Sequence, residues 1–182
     1  RCDRRSRPAS CACPSVGSWR PRQRLSVTKA PFTHALITGA SSGIGEAIAH
    51  KLGKAGVGMV LVARRKDRLD AIASKYSNCE VLAADLVTPA GLDAVLTRLR
   101  DTTRTPIDLV VNNAGFGTSG AFADADPERL SSEISLNINA LMRIAHEAVR
   151  QMQPRGRGYL LNVSSIASFQ PGPGLAVYSA TK

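Results

Sequence analysis

Tyr178 and Lys182 stand four residues apart in the run Tyr-Ser-Ala-Thr-Lys that ends the sequence. On a helix this spacing puts a phenol and an ammonium on one face. A free phenol releases its proton only near pH 10 and is a poor acid–base catalyst at neutrality, whereas a neighbouring cation favours the phenolate. The pair therefore has the chemistry of a proton-transfer couple, although the same spacing taken alone also describes an ordinary surface pair. Ser164 and Ser165 close the apolar run Tyr159–Val163 just upstream.

A second constellation lies near the other end. Thr38 to Gly45 reads Thr-Gly-Ala-Ser-Ser-Gly-Ile-Gly, with Gly39, Gly43 and Gly45 in the pattern G-x-x-x-G-x-G. The apolar run Phe32–Ile37 precedes it, and Ile44, Ile48 and Leu52 follow at helical spacing, so the glycines occupy a strand-to-helix turn. Absent side chains let backbone bend sharply there, or let a pyrophosphate approach the N–H groups of a helix start. A bare tight turn is the competing reading.

Arg64 and Arg65 follow the next apolar run, 19 and 20 residues beyond Gly45. Dinucleotide sites that take NAD place an acidic residue about 20 residues on, to accept hydrogen bonds from the adenosine ribose. Guanidinium groups suit a 2′-phosphate instead, and a helix start disfavours cations that merely solvate it. The expected cofactor is NADP(H) in preference to NAD(H). Asp85 and the small-residue run Asn112–Gly115 end two further strands and can shape an adenine pocket, though each alone is ordinary turn chemistry.

The elements that must carry these groups alternate. Strands are expected at Thr33–Thr38, Gly58–Ala63, Glu80–Ala84, Ile107–Val111 and Tyr159–Val163. Helices are expected at Ser42–Ala55, Lys66–Tyr76, Pro89–Arg100 and Pro127–Met152, the last capped by Asp126. A loop at Gln170–Gly174 leads into a helix that has barely begun at Lys182. Such alternation calls for right-handed crossovers and a parallel sheet covered on both faces, with ligands at the carboxyl ends of the strands. In the Pro127–Met152 helix, Leu130, Ile134, Ile138, Leu141, Ala145, Ala148 and Met152 form the expected buried stripe. Asn137 lies on that face, where a lone amide reads as a satisfied structural group.

Composition narrows the partners. The chain has 182 residues and net charge +10, but eight of its 24 Lys and Arg, against Asp3 alone, lie in residues 1–30. The remainder is close to balance, which implies no nucleic-acid partner. Residues 1–30, rich in Arg, Ser and Pro, read as a disordered basic tail; a transit peptide or translated upstream sequence without a role would have the same composition. Residues 31–182 form one domain. No apolar run reaches 18 residues, so no membrane span is expected. Cys2, Cys11 and Cys13 lie in the tail and Cys79 stands alone, which makes neither a disulfide framework nor a metal site and points to a reducing, cytoplasmic setting. The first residue is Arg1, the first methionine is Met59, and the chain stops just after a helix start; both ends read as those of a piece of a longer reading frame.

Taken in order, Thr38–Gly45, Asp85, Asn112–Gly115, Asn137, Ser165 and Tyr178–Lys182 resemble the short-chain dehydrogenase/reductase family. The resemblance is to its compact single-domain branch and covers about Thr33 to Lys182. The extended branch favours G-x-x-G-x-x-G, which this chain lacks. The resemblance implies an α/β fold, a Rossmann-type doubly wound parallel sheet in the order 3-2-1-4-5 with further strands beyond Lys182. It implies hydride transfer between nicotinamide and a carbonyl or secondary alcohol, a small-molecule substrate, in a homodimer or homotetramer. By the same similarity Tyr178 is the acid/base, Ser165 polarises the substrate oxygen, and Lys182 assists Tyr178 and holds the nicotinamide ribose. Asn137 anchors a water that relays protons from Lys182. Gly39, Ser41, Ser42, Ile44 and Gly45 line the pyrophosphate and ribose, and Asp85 and Leu86 border the adenine; Gly43 of the same turn and, on the charge argument above, Arg64 and Arg65 belong with the expected cofactor site. Asn112, Ala114 and Gly115 complete the cofactor side. The resemblance further implies that the piece ending at Lys182 has little or no turnover alone, since Lys182 would fray. A dinucleotide-binding module without catalysis is the alternative reading, and a nucleic-acid binder resting on the basic tail is a weaker third.

Overall fold

The computed structural model describes residues 30–170 and 172–182. The expectation of disorder for the basic tail, with Cys2, Cys11 and Cys13, falls on residues 1–29, outside that range. Strands β1 (His34–Thr38), β2 (Gly58–Ala63), β3 (Cys79–Ala83), β4 (Leu109–Asn112) and β5 (Tyr159–Asn162) alternate with helices α1 (Gly43–Lys54), α2 (Lys66–Ala73), α3 (Pro89–Arg100), α4 (Pro127–Ile134), α5 (Leu141–Met152) and α6 (Ala176–Thr181). All four pairings are parallel and the sheet order is β3-β2-β1-β4-β5, as expected.

Successive strand residues point to opposite faces, and both faces are covered. Ala35, Ile37, Met59 and Leu61 pack with Ala49, Leu69 and Ile72 of α1 and α2. Leu36, Val60 and Val62 pack with Val95, Leu96, Ile144 and Ala148 of α3 and α5. The third helix is fixed at its start by the Thr88 hydroxyl, which accepts from Gly91 N (3.1 Å), with Pro89 in its first turn. The fifth strand differs from its neighbours: Tyr159, Leu160 and Leu161 are each more than a third exposed at the sheet edge.

Two boundaries move for identifiable reasons. The helix expected to reach Tyr76 ends at Ala73, because the Tyr76 ring lies against Gly53 of α1 and its hydroxyl pairs with His50 Nδ1 (2.9 Å). The fourth strand begins at Leu109 rather than Ile107. Asp108 is drawn aside as a clamp that accepts from Thr33 N (2.9 Å), Thr33 Oγ1 (2.9 Å), His34 N (2.9 Å) and Arg157 Nη2 (2.7 Å).

Burial alone would raise the Asp108 pKa, but the backbone N–H groups of His34 and Thr33, the Arg157 guanidinium and the Thr33 hydroxyl together hold it below the ordinary carboxylate value. A depressed folded-state pKa means that the ionised group stabilises the fold above the unfolded value, roughly pH 4, and that this contribution fades as pH falls through the folded value. Asp108→Asn is therefore expected to lower stability by about 1–3 kcal/mol at neutrality. The gap from the parent chain should close below roughly pH 4. Unfolding midpoints measured across pH check both parts.

The largest departure lies in the helix expected to run unbroken from Pro127 to Met152. Between α4 and α5, residues Ser135–Ala140 form a π-helical segment. The inward residues are Glu133, Asn137, Ala140, Ile144, Glu147, Ala148 and Met152, whereas Ile134 and Ile138 are each 41% exposed. Of the expected buried stripe only Ala148 and Met152 are fully buried; Leu130, Leu141 and Ala145 are half-buried.

Candidate active site

The first strand pairs with β2 on one side and β4 on the other, so the sheet order reverses beside it. A cleft of about 350 Å³ opens there at the carboxyl ends of the strands. Its walls come from the β1–α1 turn (Gly39, Ser41, Ser42, Ile44), the end of β2 (Val62, Ala63, Arg64, Arg65) and the end of β3 (Ala84, Asp85, Leu86). Asn113, Ala114 and Gly115 follow β4, Leu136 comes from the π segment, Val163 and Ser164 follow β5, and Tyr178 and Lys182 close it.

The glycines of the first turn do three different things. Gly39 has φ +66°, and a Cβ there would lie 2.9 Å from Ala114 Cα. A Cβ on Gly45 would meet Gly39 O at 2.4 Å and Asn113 Nδ2 at 2.5 Å. Both therefore serve the close approach of the β1 and β4 loops. Gly43, at φ +60°, would direct a Cβ into open space. The turn is stitched to the loop after β4 by Thr38 Oγ1, which accepts from Asn113 N and Ala114 N (3.0 Å each), and by Asn113 Nδ2, which donates to Thr38 O (3.0 Å). Ser42 precedes α1 without capping it; its hydroxyl accepts from Arg65 Nη2 (2.8 Å), which also donates to Ser41 Oγ (3.0 Å). Open space at Gly43, an uncapped helix start and two arginines make a donor set that fits a phosphate-bearing dinucleotide.

Asp85 turns its own loop, accepting from Val87 N (3.1 Å), and Leu86 is buried behind it. Asn112 stands elsewhere than expected. As the last residue of β4 it donates to Asn162 Oδ1 of β5 (3.0 Å) and does not line the cleft; Asn113, the first residue past the strand, does. Strand alternation sends adjacent side chains opposite ways, and a strand end placed one residue later would have singled out Asn113.

On the reacting side, Tyr178 lines the cleft and one side of its ring lies against Gly117, whose Cβ would fall 2.7 Å from Tyr178 Cδ2 and 2.9 Å from its Cγ. Lys182 Nζ donates to Val163 O (2.9 Å) and approaches Gly115, where a Cβ would be 3.2 Å away. Among the described residues no hydrogen bond joins that ammonium to the phenol. Ser164 reaches the cleft, with its proton donated to Lys182 O (2.6 Å). Ser165, off the cleft wall, accepts from Ala167 N (3.2 Å) at the start of the single turn Ile166–Ser168, and among the described residues its own proton has no acceptor. Asn137 is 2% exposed and lies outside the cleft wall. Its Oδ1 accepts from Phe116 N (3.1 Å), and its Nδ2 donates to Phe116 O (2.8 Å) and Thr181 Oγ1 (2.9 Å). The amide is satisfied, as its sequence setting implied, and it is satisfied by the loop and helix that present Gly115 and Tyr178. Leu136, Val163 and Ser164 also join the wall, although no motif singled them out for it.

Comparison with known proteins agrees with this arrangement. Residues 33–182 match the family model described as short chain dehydrogenase. An uncharacterized oxidoreductase of Staphylococcus epidermidis is 36% identical over 149 residues, covering 81% of this chain and 64% of that protein. A short-chain dehydrogenase from Sphingobium yanoikuyae, solved in complex with NADPH, is 41% identical with TM-score 0.78, over 82% of this chain and 60% of that one. A bulky-bulky ketone specific alcohol dehydrogenase from Comamonas testosteroni is 38% identical with TM-score 0.78, over 82% and 61% respectively. The chain thus spans less than two thirds of the length of these relatives. With a family match over residues 33–182 and a parallel sheet wound about β1, the chain belongs to the short-chain dehydrogenase family.

Proposed function

We propose that the whole protein is an NADP(H)-dependent oxidoreductase acting on a ketone or secondary alcohol, with Tyr178 as the acid/base. The observation that carries this reading is the single cleft shared by Arg65, the glycine turn, Tyr178 and Lys182. The dinucleotide supplies or accepts a hydride at the substrate carbon when bound. Tyr178 gives its phenolic proton to the carbonyl oxygen in reduction and takes one back in oxidation. Ser165 donates its uncommitted hydroxyl proton to the same oxygen as charge builds on it. Lys182, steadied by Val163 O, places a positive charge beside the ribose and the phenol. Asn137 holds the Phe116 backbone and the Thr181 hydroxyl, which ties the loop after β4 to the helix that carries Tyr178.

Arg65 supports the choice of NADP(H). Its guanidinium already rests on two serine hydroxyls at the mouth of the glycine turn, and Arg64 lies beside it. Arg65→Ala is expected to weaken NADPH binding by about 10- to 100-fold, the size of a lost charge-assisted hydrogen-bond pair. NADH affinity should stay within about threefold, because it has no 2′-phosphate to lose. Arg64→Asp should move preference the same way. Fluorescence titration with both cofactors checks this; an unchanged NADPH preference in both variants removes the arginine argument. The exposed apolar set Ile134, Ile138, Met142 and Val149 along α4, the π segment and α5 supports a homodimer or homotetramer of the whole protein. Cys79, a free thiol, fits a cytoplasmic setting. NADPH-dependent reduction of aliphatic and aryl ketones, monitored by loss of cofactor absorbance, tests the activity; absence of turnover with bound NADPH across the panel would favour a binding module.

A further inference from the structure

We propose that Glu133 is a positioning residue, which with Asn137 clamps the strip Phe116–Thr118 and so sets the surface on which the Tyr178 ring lies. The inference rests on the reading of Tyr178 as acid/base. Glu133 is wholly inaccessible to solvent, and its Oε2 accepts from Thr118 N (2.8 Å). No cation pairs with it among the described residues, and its Oε1 has no partner. A carboxyl costs free energy in such a place, and an apolar side chain would fill the same space without that cost. What an apolar residue cannot do is accept the Thr118 N–H.

The geometry gives that one bond its consequence. Glu133 and Asn137 are four residues apart and both buried on the inner face of the α4–π rod. Asn137 holds both backbone groups of Phe116, and Glu133 holds the amide of Thr118. Gly117, between them, is pinned from both sides, and the Tyr178 ring rests where its side chain would be. Arg129, 5.2 Å from the Phe116 ring centroid, closes over the outside of the strip. Release of Thr118 lets Gly117 move and lets the phenol drift from the substrate oxygen. A misplacement of about 1 Å at a reacting group costs roughly 100-fold in rate.

The test compares Glu133→Met, which keeps volume but accepts nothing, with Glu133→Gln, which keeps an acceptor. Both are made in the whole protein and assayed with NADPH and propiophenone. Glu133→Met should lower kcat about 10- to 100-fold. The KM for ketone and the Kd for NADPH should each stay within about threefold, since binding groups are untouched. Glu133→Gln should recover most of kcat, and Thr118 amide exchange should be fast in the Met variant and slow in the Gln variant. A merely structural role would lower thermal stability and leave kcat of the folded fraction unchanged, which overturns the proposal. Equal loss in Gln and Met overturns it too. If Glu133→Met does not fold, Gly117→Ala reaches the Tyr178 ring from the other side and must lower kcat with NADPH affinity kept. Tyr178→Phe separates the levels: normal turnover there defeats the acid/base reading itself. An inactive Phe variant beside a fully active Glu133→Met defeats only the positioning role.

Discussion

Tyr178→Phe in the whole protein is expected to cut ketone reduction by about 10²- to 10⁴-fold, the usual worth of a positioned proton donor. NADPH affinity should change by no more than about threefold, because the groups that would hold its phosphates are Arg65 and the glycine turn, not the Tyr178 oxygen. The substitution removes one oxygen and keeps the ring, so the contact with Gly117 survives and the α6 backbone is undisturbed. Thr181 and Lys182 bond to the Tyr178 backbone carbonyl, not to its phenol. The variant therefore isolates the proton. Steady-state rates and a fluorescence titration of NADPH on the same preparation check both halves. Turnover within tenfold of the parent would mean that another group supplies the proton.

Gly45→Ala is expected to damage both fold and cofactor binding. The added methyl would sit 2.4 Å from Gly39 O and 2.5 Å from Asn113 Nδ2, in the seam where the β1 turn meets the loop after β4. Forced overpacking of this kind costs about 1–3 kcal/mol. Relief requires Asn113 to give up Thr38 O and Gly39 O, or requires α1 to shift its first turn away from the cleft. Either movement spoils the N–H array at the helix start, so NADPH affinity should fall at least about tenfold. Gly43→Ala is the control. Its methyl meets nothing within 4 Å, yet φ +60° imposes a backbone cost of about 1–2 kcal/mol, so it should lose stability without opening the β1–β4 seam. Unfolding midpoints and NADPH titrations of the two variants distinguish collision from backbone strain. Equal stability of Gly45→Ala and the parent would refute the packing argument.

Much of this site was legible before any coordinates. The five strands, the crossover helices and the glycine turn followed from apolar runs of strand length, helical spacing and turn residues, all local signals. Arg65 stands beside Ser41 and Ser42, and Tyr178 and Lys182 line the same cleft, because parallel crossovers carry every strand's carboxyl end to the same edge. The functional signal came from the order of small motifs, none of which is specific alone.

The helix after β4 shows the opposite case. Ile134 and Ile138 keep good helical spacing, and both lie on the exposed face. Glu133 and Asn137 turn inward because the loop at Phe116–Thr118 offers them backbone partners, and a π segment lies at the same place. By itself the sequence determined the alternation of elements, their handedness and the end of the sheet where chemistry happens, since these depend on residues within a turn or two of one another. Only the tertiary structure decided which face of that helix is buried, which asparagine reaches the cleft, and that Glu133 holds the strip beneath Tyr178. Those choices are made by hydrogen bonds between residues 15 to 75 positions apart, and no local periodicity encodes such a bond.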